Sequence, residues 1–399
     1  MDRKKAALAV FLSMLLCWGA GCTNQALLEE IPREAALRIE DGKENPKETF
    51  SFVQEEFSEY AYRSLTKEEQ IWYRDMKEIV GCMQEKGELS KEGIDAGLDE
   101  TDIDLVFQCL LIDHPEFFYV DGYSYTKYSR GGKLLTLEFA GNYTMEIQEA
   151  RYRGQQIEEA AQDMLSKLSA GASEYDKVKY VYETIIRNTD YDLQAPDNQN
   201  IYSVFINHSS VCQGYAKACQ YLLGKLGMEC VLVQGTVDTG EGHAWNLIKV
   251  DGSYYYLDST WGDASYQLGE APDSVVSRKP EINYDYLCVT TAELLRTHTL
   301  GGYLTLPECT DNRANYYVRE NAYFTAYDRE KMERLFQKAA DRGQADVTVK
   351  CSDLNCYREV EQAMIQEQEI FRYLTTDECT VSYAENEKQL SLTFWVTNE

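Results

Sequence analysis

A thiol, an imidazole and a carboxylate, at Cys212, His243 and Asp258, each stand in a stretch of sequence that says how the side chain is held. The run Val211-Cys212-Gln213-Gly214-Tyr215-Ala216 opens a segment whose apolar residues Tyr215, Ala218, Cys219, Leu222, Leu223 and Leu226 recur three or four positions apart and stop at Gly227. That is one face of a helix with a terminal glycine, so Cys212 falls at the N-terminus of a buried helix. The unpaired N–H groups and positive dipole end there favour thiolate over thiol. His243 and Asp258 pair across a hairpin. Glu229 to Val237 reads as one strand, His243 to Val250 as a second and Ser253 to Thr260 as a third, with Asp251-Gly252 as a two-residue turn. Val250 then opposes Ser253 and every opposed pair sums to 503, which sets His243 against Thr260 and Trp245 against Asp258. Because side chains alternate, His243 and Asp258 share a face as diagonal neighbours, about 7–8 Å apart at the backbone. A thiolate, a base that takes its proton and returns it to a leaving amine, and a carboxylate that orients the base are the parts of nucleophilic acyl chemistry.

The elements that hold these residues are legible on either side. Thr66-Lys67-Glu68-Glu69 is a capping box ahead of Ile71, Trp72, Met76, Ile79, Val80 and Met83 at helical spacing. A second helix runs from Asp104 to Leu111 and stops at Asp113-His114-Pro115. Strands follow at Phe117 to Lys127 and Lys133 to Phe139, around Gly131-Gly132, then a long polar helix from Met145 to Leu168. Ser173 and Asp176 cap a helix over Tyr175 to Arg187. Beyond Asp273-Ser274 the sequence predicts helices at Glu330 to Arg342 and Arg358 to Tyr373, and strands at Asp346 to Lys350, Thr380 to Ala384 and Leu390 to Val396.

The Cys212 stretch, Gly242-His243-Ala244-Trp245-Asn246 and Leu257-Asp258-Ser259-Thr260-Trp261-Gly262-Asp263 together closely resemble the transglutaminase-like superfamily. The nearest branch is the bacterial one with Cys-Gln-Gly-Tyr-Ala and Asp-Ser-Thr-Trp-Gly-Asp. The resemblance covers Ser173 to Asp263, and Asp113-His114-Pro115-Glu116-Phe117-Phe118 looks like the leader region of such proteins. It implies an α+β fold with a papain-like core, a helix-borne cysteine packed on an antiparallel sheet, in which Cys212, His243 and Asp258 are the catalytic triad. It also implies attack on a carboxamide or peptide carbonyl, a thioester, and transfer to an amine or water. Animal members use an upstream Trp for the oxyanion, but no Trp lies between Trp72 and Trp245. The Cys212 N–H is one candidate donor, Gln199 and Tyr202 are candidates for another, and Trp245 and Trp261 are candidate site walls that serve equally well as core. The Cys-His-Asp set also resembles arylamine acetyltransferases, whose surrounding motifs match less well.

Length, charge and targeting bound the rest. The 399 residues exceed one ordinary domain. The chain divides into a signal peptide (1–21), a polar tether (22–49), an N-terminal α+β domain (50–169), a transglutaminase-like core (170–273) and a C-terminal α+β accessory domain (274–399). Arg3, Lys4 and Lys5 precede an uncharged run from Ala6 to Trp18, too short for a permanent span, that ends in Gly19-Ala20-Gly21-Cys22. This resembles a bacterial lipobox, although Gly19 stands where that motif has a Leu-like residue, and it implies lipidation at Cys22; an ordinary secretory signal cleaved nearby is the alternative, and either makes the mature chain extracytoplasmic. Loss of residues 1–21 removes one acidic and three basic residues and carries the net charge from −28 to −30, which disfavours nucleic acid and anionic lipid as partners. Membrane contact is through the lipid anchor alone, and the partner is a protein or peptide substrate, cell-wall associated or not. No phosphate loop, His-Glu-x-x-His or Gly-x-Ser-x-Gly is present, so no cofactor or metal is expected. Leaving out Cys17, Cys22 and Cys212, nine of the twelve cysteines remain, so at least one thiol is free. Cys219 and Cys230 read as core, while Cys351 and Cys356, which have no His or second Cys pair nearby to make a zinc site, are a candidate disulfide in an extracytoplasmic setting. His114 and His298 read as structural or exposed, and His208 has no motif to assign it.

Two functions fit. One is a surface-anchored cysteine enzyme, with hydrolysis favoured because no amine-binding feature is readable. The other is a non-catalytic lipoprotein using the same core as a binding or scaffolding module. The intact triad weighs against the second.

Overall fold

The structure, a computed structural model, describes residues 58–263, 282–344, 346–374 and 379–398. The signal peptide, the tether and Cys22 lie outside the described residues. Among those described, no helix is long and apolar enough to cross a membrane.

The chain opens with helices α1 (Tyr60–Ser64) and α2 (Glu69–Gly81), strand β1 (Gly87–Glu88) and helices α3 (Lys91–Ala96) and α4 (Ile103–Asp113). The expected capping box is present: Glu69 N–H donates to Thr66 Oγ1 at 3.2 Å while the Glu69 carboxylate accepts from Thr66 N–H at 2.7 Å. Strands β2 (Val120–Arg130) and β3 (Lys133–Tyr143) form a long hairpin, and β1 pairs with β3 to complete a three-stranded sheet. Helix α5 (Ile147–Ser166) leads into α6 (Glu174–Asn188), whose Ser173–Asp176 capping box is also present.

The short parallel pair β4 (Asp190–Tyr191) and β5 (Ser209–Ser210) brackets a π-helical turn at Ser203–Asn207 and delivers the chain to α7 (Cys212–Lys225). Strands β6 (Cys230–Val237), β7 (Gly242–Val250) and β8 (Ser253–Leu257) follow, then the one-turn helix α8 (Ser259–Gly262). Strands β9 (Leu287–Val289) and β10 (His298–Leu300) return to the same sheet, which runs β10-β6-β7-β8-β9 and is antiparallel throughout. β7 lies at its centre and is buried along nearly its whole length, as expected of a strand covered on both faces. Helix α7, itself buried almost all round, packs on β6 and β7. This is the helix-on-antiparallel-sheet core expected from the sequence, and the fold is mixed α+β.

The domain limits differ from the expected ones. One continuous hydrophobic core runs from Ala61 to Ala314, joining the N-terminal elements to the sheet. The limit at 273 cuts this sheet, because β9 and β10 come after it. A second core, from Tyr317 to Phe394, holds the C-terminal unit. There β11 (Tyr323–Phe324), β12 (Asp346–Cys351), β13 (Cys379–Asn386) and β14 (Ser391–Asn398) form a four-stranded sheet in the order β11-β12-β14-β13, with helices at Arg329–Asp341 and Leu354–Glu361. The single helix expected over Arg358 to Tyr373 instead passes at Gln362 from α-helix into a π-helical turn and breaks before Glu369–Tyr373, where Gln368 takes a positive φ of 57° that no helix continues through. Cys351 and Cys356 are buried free thiols joined by a hydrogen bond, not the expected disulfide.

Candidate active site

Cys212 is the first residue of α7 and half-buried. Its backbone N–H and the next two have no carbonyl one turn back to bond to, which leaves donors at the thiol. The approach to this helix end is tight. A Cβ on Gly214 would lie 1.9 Å from Ser210 Oγ and 3.1 Å from the Asn198 carbonyl, so only glycine lets the 198–200 segment and β5 close on the first turn.

Three hydrogen bonds fix α7 against the elements that carry the other groups. Asn246 Nδ2 on β7 donates to the Ala216 carbonyl at 3.0 Å, Tyr215 OH donates to Asp263 Oδ2 at 3.0 Å, and Cys219 Sγ donates to Ser259 Oγ at 3.3 Å. The thiol is thereby referenced to both the histidine strand and the turn after Leu257.

The hairpin has the expected register from Val250↔Ser253 to Asn246↔Leu257. There the ladder stops. Asp258 is the N-cap of α8 rather than a strand residue, and the expected Trp245–Asp258 and His243–Thr260 pairs do not form. The carboxylate still reaches the imidazole, by a different route. Its Oδ1 accepts the N–H groups of Thr260 at 2.9 Å and Trp261 at 3.1 Å, and its Oδ2 accepts His243 Nε2 at 2.8 Å. Capping thus holds the carboxylate still while the other oxygen orients the ring.

With Nε2 committed to Asp258, Nδ1 is the ring nitrogen left for Cys212, to which the His243 side chain is hydrogen-bonded. Burial works against a charged His243, but the Asp258 carboxylate and then Cys212 outweigh it and push its pKa up to about 10. Asp258 shows the converse. Burial alone would raise it, yet His243 and then His298 hold it well below the ordinary carboxylate range.

His298 is the residue that sequence reasoning missed. It is buried, not exposed, and its Nε2 donates to the same Asp258 Oδ2 at 3.0 Å. It is delivered by β10, paired with β6 as His298↔Val237. Trp245, Trp261 and Tyr286 enclose it, with ring centroids 5.0, 4.8 and 5.6 Å away. Trp245 is wholly buried and stacks on His243 at 5.8 Å, so it backs the two imidazoles instead of walling an open cleft. Trp261 is half-buried, 6.1 Å from the His243 ring.

The second oxyanion candidates fare differently. Tyr202 is turned to α5, its hydroxyl 3.1 Å from Gln156 Oε1 and its ring under Arg153 at 4.5 Å, which removes it as a donor. Gln199 is exposed on the segment that closes over the helix start, beside the Asn198 carbonyl that accepts Val211 N–H. His114 is a structural residue, buried and bonded to Glu116 at 2.7 Å. His208 is exposed with Nδ1 3.1 Å from the Asn188 carbonyl. Cys219 and Cys230 are core, as expected. Among the described residues, donor atoms of His243, Asp258 and His298 lie within 4.8 Å of one another, close enough to share an ion. The hydrogen bonds from both imidazoles to Asp258 Oδ2 already tie that set together.

Residues 161–259 match the model of the transglutaminase-like superfamily, so the chain carries a transglutaminase-like domain. The matched span contains Cys212, His243 and Asp258 and ends before His298. The kyphoscoliosis peptidase of Mus musculus is 25% identical over 122 residues, which are 27% of this chain and 18% of that protein. That of Homo sapiens is 23% identical over the same length and shares. The chain therefore spans less than a fifth of the length of these curated relatives. A crystal structure of a TGase matches with 14% identity and a TM-score of 0.26, covering 44% of this chain and 49% of that one.

Proposed function

We propose that the transglutaminase-like domain of this chain is a thiol enzyme that opens protein or peptide amides through an acyl-thioester on Cys212, with water as the favoured acceptor. The observation that carries the reading is His243 hydrogen-bonded at once to Cys212 and to the capped Asp258. His243 Nδ1 takes the thiol proton, and the thiolate and imidazolium then stabilise one another. Sγ attacks the amide carbonyl carbon, and the oxyanion is met by N–H groups at the start of α7. The C–N bond breaks as His243 returns its proton to the leaving amine. Water then attacks the thioester, giving its proton to His243. The C–S bond breaks, the acid is released, and the proton returns to sulfur. An amine in place of that water gives transfer instead. The peptidase activity named for the curated relatives supports the hydrolytic branch.

The test is carbamidomethylation by iodoacetamide across pH, followed by trapping of the acyl-enzyme from an amide-peptide library. Cys212 is expected to alkylate faster than a free thiol near neutrality, and His243→Ala to remove that advantage. The peptide adduct is expected on wild type and not on Cys212→Ala. Equal adduct on both sinks the mechanism and leaves the domain as a binding module.

The same reading places the protein outside the cytoplasm, tethered by a lipid on Cys22, on the strength of the basic, apolar and small-residue succession of residues 3–22. An alkyne fatty acid fed to expressing bacteria should label wild type and leave Cys22→Ser unlabelled. Label retained in the variant removes the anchor.

A further inference from the structure

We infer that His298 is a positioning residue of this site, held by a directed hydrogen-bond relay Lys350→Gln389→Thr297→His298→Asp258, through which the C-terminal unit sets how strongly Asp258 acts on His243. The inference rests on the proposed roles of Cys212 and His243.

The direction of the relay follows from what each group can do. Lys350 Nζ is fully buried and can only donate. It lies 3.4 Å from Gln389 Oε1, which fixes that amide with its nitrogen facing the other way. Gln389 Nε2 then donates to Thr297 Oγ1 and to Tyr286 OH, each at 3.2 Å. The Thr297 hydroxyl has one proton and three acceptors in reach: His298 Nδ1 at 2.9 Å, the Tyr286 hydroxyl at 3.3 Å and the Leu294 carbonyl at 3.4 Å. The shortest, best bond goes to Nδ1. A His298 that accepts at Nδ1 carries its proton on Nε2, which is the nitrogen 3.0 Å from Asp258 Oδ2. Every donor in the chain therefore points at the carboxylate.

Asp258 Oδ2 accepts two imidazoles, and each reduces the charge left for the other. His298 thus restrains the pull of Asp258 on the His243 proton, which His243 must release to the leaving amine. Oδ1 stays pinned by Thr260 and Trp261, so removal of His298 alters the charge felt by His243 without freeing the carboxylate. The ionisable groups facing His298 are Asp258, His243 and Tyr286. Lys350 with Asp285 stands at the far end of the relay, and Asp238, paired with Lys388, follows its strand partner Val237.

The chain has four histidines, so 15N-histidine labelling and long-range N–H spectra resolve each ring. In full-length wild type at neutral pH, His298 is expected as the neutral Nε2–H tautomer. Thr297→Val should bring up the Nδ1–H tautomer as well. His298→Phe should raise the titration midpoint of His243 by about half a pH unit or more, and His298→Gln, whose amide N–H can replace Nε2–H, should return it. Turnover of a peptide recovered in the trapping experiment should fall by about 10- to 100-fold in His298→Phe, the scale of one hydrogen bond to a charged group. Gln389→Leu should give a smaller loss of about two- to fivefold, with the same tautomer exchange at His298 as Thr297→Val. A wild-type His298 protonated on Nδ1, or a His243 midpoint unchanged in folded His298→Phe, overturns the relay. If His298→Phe does not fold, the tautomer in wild type and Thr297→Val decides. Slow alkylation of Cys212 that is indifferent to His243→Ala is a separate outcome, and sinks the enzyme reading instead.

Discussion

Asp258 and Asp113 are two buried carboxylates, each about 1% exposed, that begin by doing the same thing. Each accepts two successive backbone N–H groups at the start of a short helix: Thr260 and Trp261 of α8, Ala61 and Tyr62 of α1. They differ in what completes them. Asp113 is completed by the Tyr73 hydroxyl at 2.9 Å, a neutral donor, and burial pushes its pKa up to about 6 against its backbone bonds and nearby His114, which is not hydrogen-bonded to it but to Glu116. Asp258 takes two imidazoles, and those hold it far down despite equal burial. Backbone capping and a chargeable neighbour without a hydrogen bond leave Asp113 raised, whereas direct hydrogen bonds from two imidazoles hold Asp258 as an anion. The first arrangement fastens α1 to the end of α4, and the second places a charge beside a base.

The widest separation expected from this contrast is in activity. Asp258→Asn should lower turnover of a trapped peptide by about 10³- to 10⁴-fold, since the amide can neither stabilise imidazolium nor enforce its tautomer. Asp113→Asn should leave it within about threefold of wild type. Comparable losses in both would mean that Asp258 serves packing alone.

Next in size is stability. Asp113→Ala leaves the Ala61 and Tyr62 N–H groups unpaired in the interior and should cost about 2–4 kcal/mol in urea unfolding. A cost under about 1 kcal/mol would show that water replaces the carboxylate, and the parallel with Asp258 would weaken.

The smallest effect tests the charge itself. A folded-state pKa raised above the unfolded value gives a contribution that is fully present below the unfolded value and lost as pH rises through about 6. Wild type should therefore gain about 1 kcal/mol between pH 7 and pH 5 that Asp113→Asn does not gain. Asp258, shifted the other way, is ionised throughout that window and contributes no slope. Its stabilisation is present above the unfolded carboxylate range and is lost only in acid. Identical slopes for wild type and Asp113→Asn would remove the distinction.

Local rules reached as far as local structure does. Asp251-Gly252 set a register that holds over all five pairs of β7 and β8, because a two-residue turn leaves no freedom in pairing. The error begins at Asp258, where strand alternation is carried three residues past the end of β8 at Leu257, to Thr260. Asp258-Ser259-Thr260 also reads as a helix start, and that capping signal was the one to follow. Cys212 was legible because a helix face and its first residue are sequence-local. His298 was not, since forty positions separate it from Asp258 and nothing in Thr297-His298-Thr299 announces an edge strand. Its rarity, one of four histidines, was the available hint. The limit at 273 failed for the same reason as His298. Strands that rejoin a sheet from beyond an expected limit leave no local trace in composition.

The docking of the Asn386–Ser391 turn on Asp285, Tyr286 and Thr297 also carries a consequence for timing. Ribosomes add about 5–20 residues per second, so the interval between making Cys212 and making Gln389 is on the order of ten seconds or more. Cys212, His243 and Asp258, the proposed nucleophile, base and carboxylate, are all synthesised before Lys350 and Gln389 at the head of the relay. On the proposed relay, a nascent chain carries the chemical groups early and their final adjustment late, which would tie the reactivity of the thiol to completion of the polypeptide.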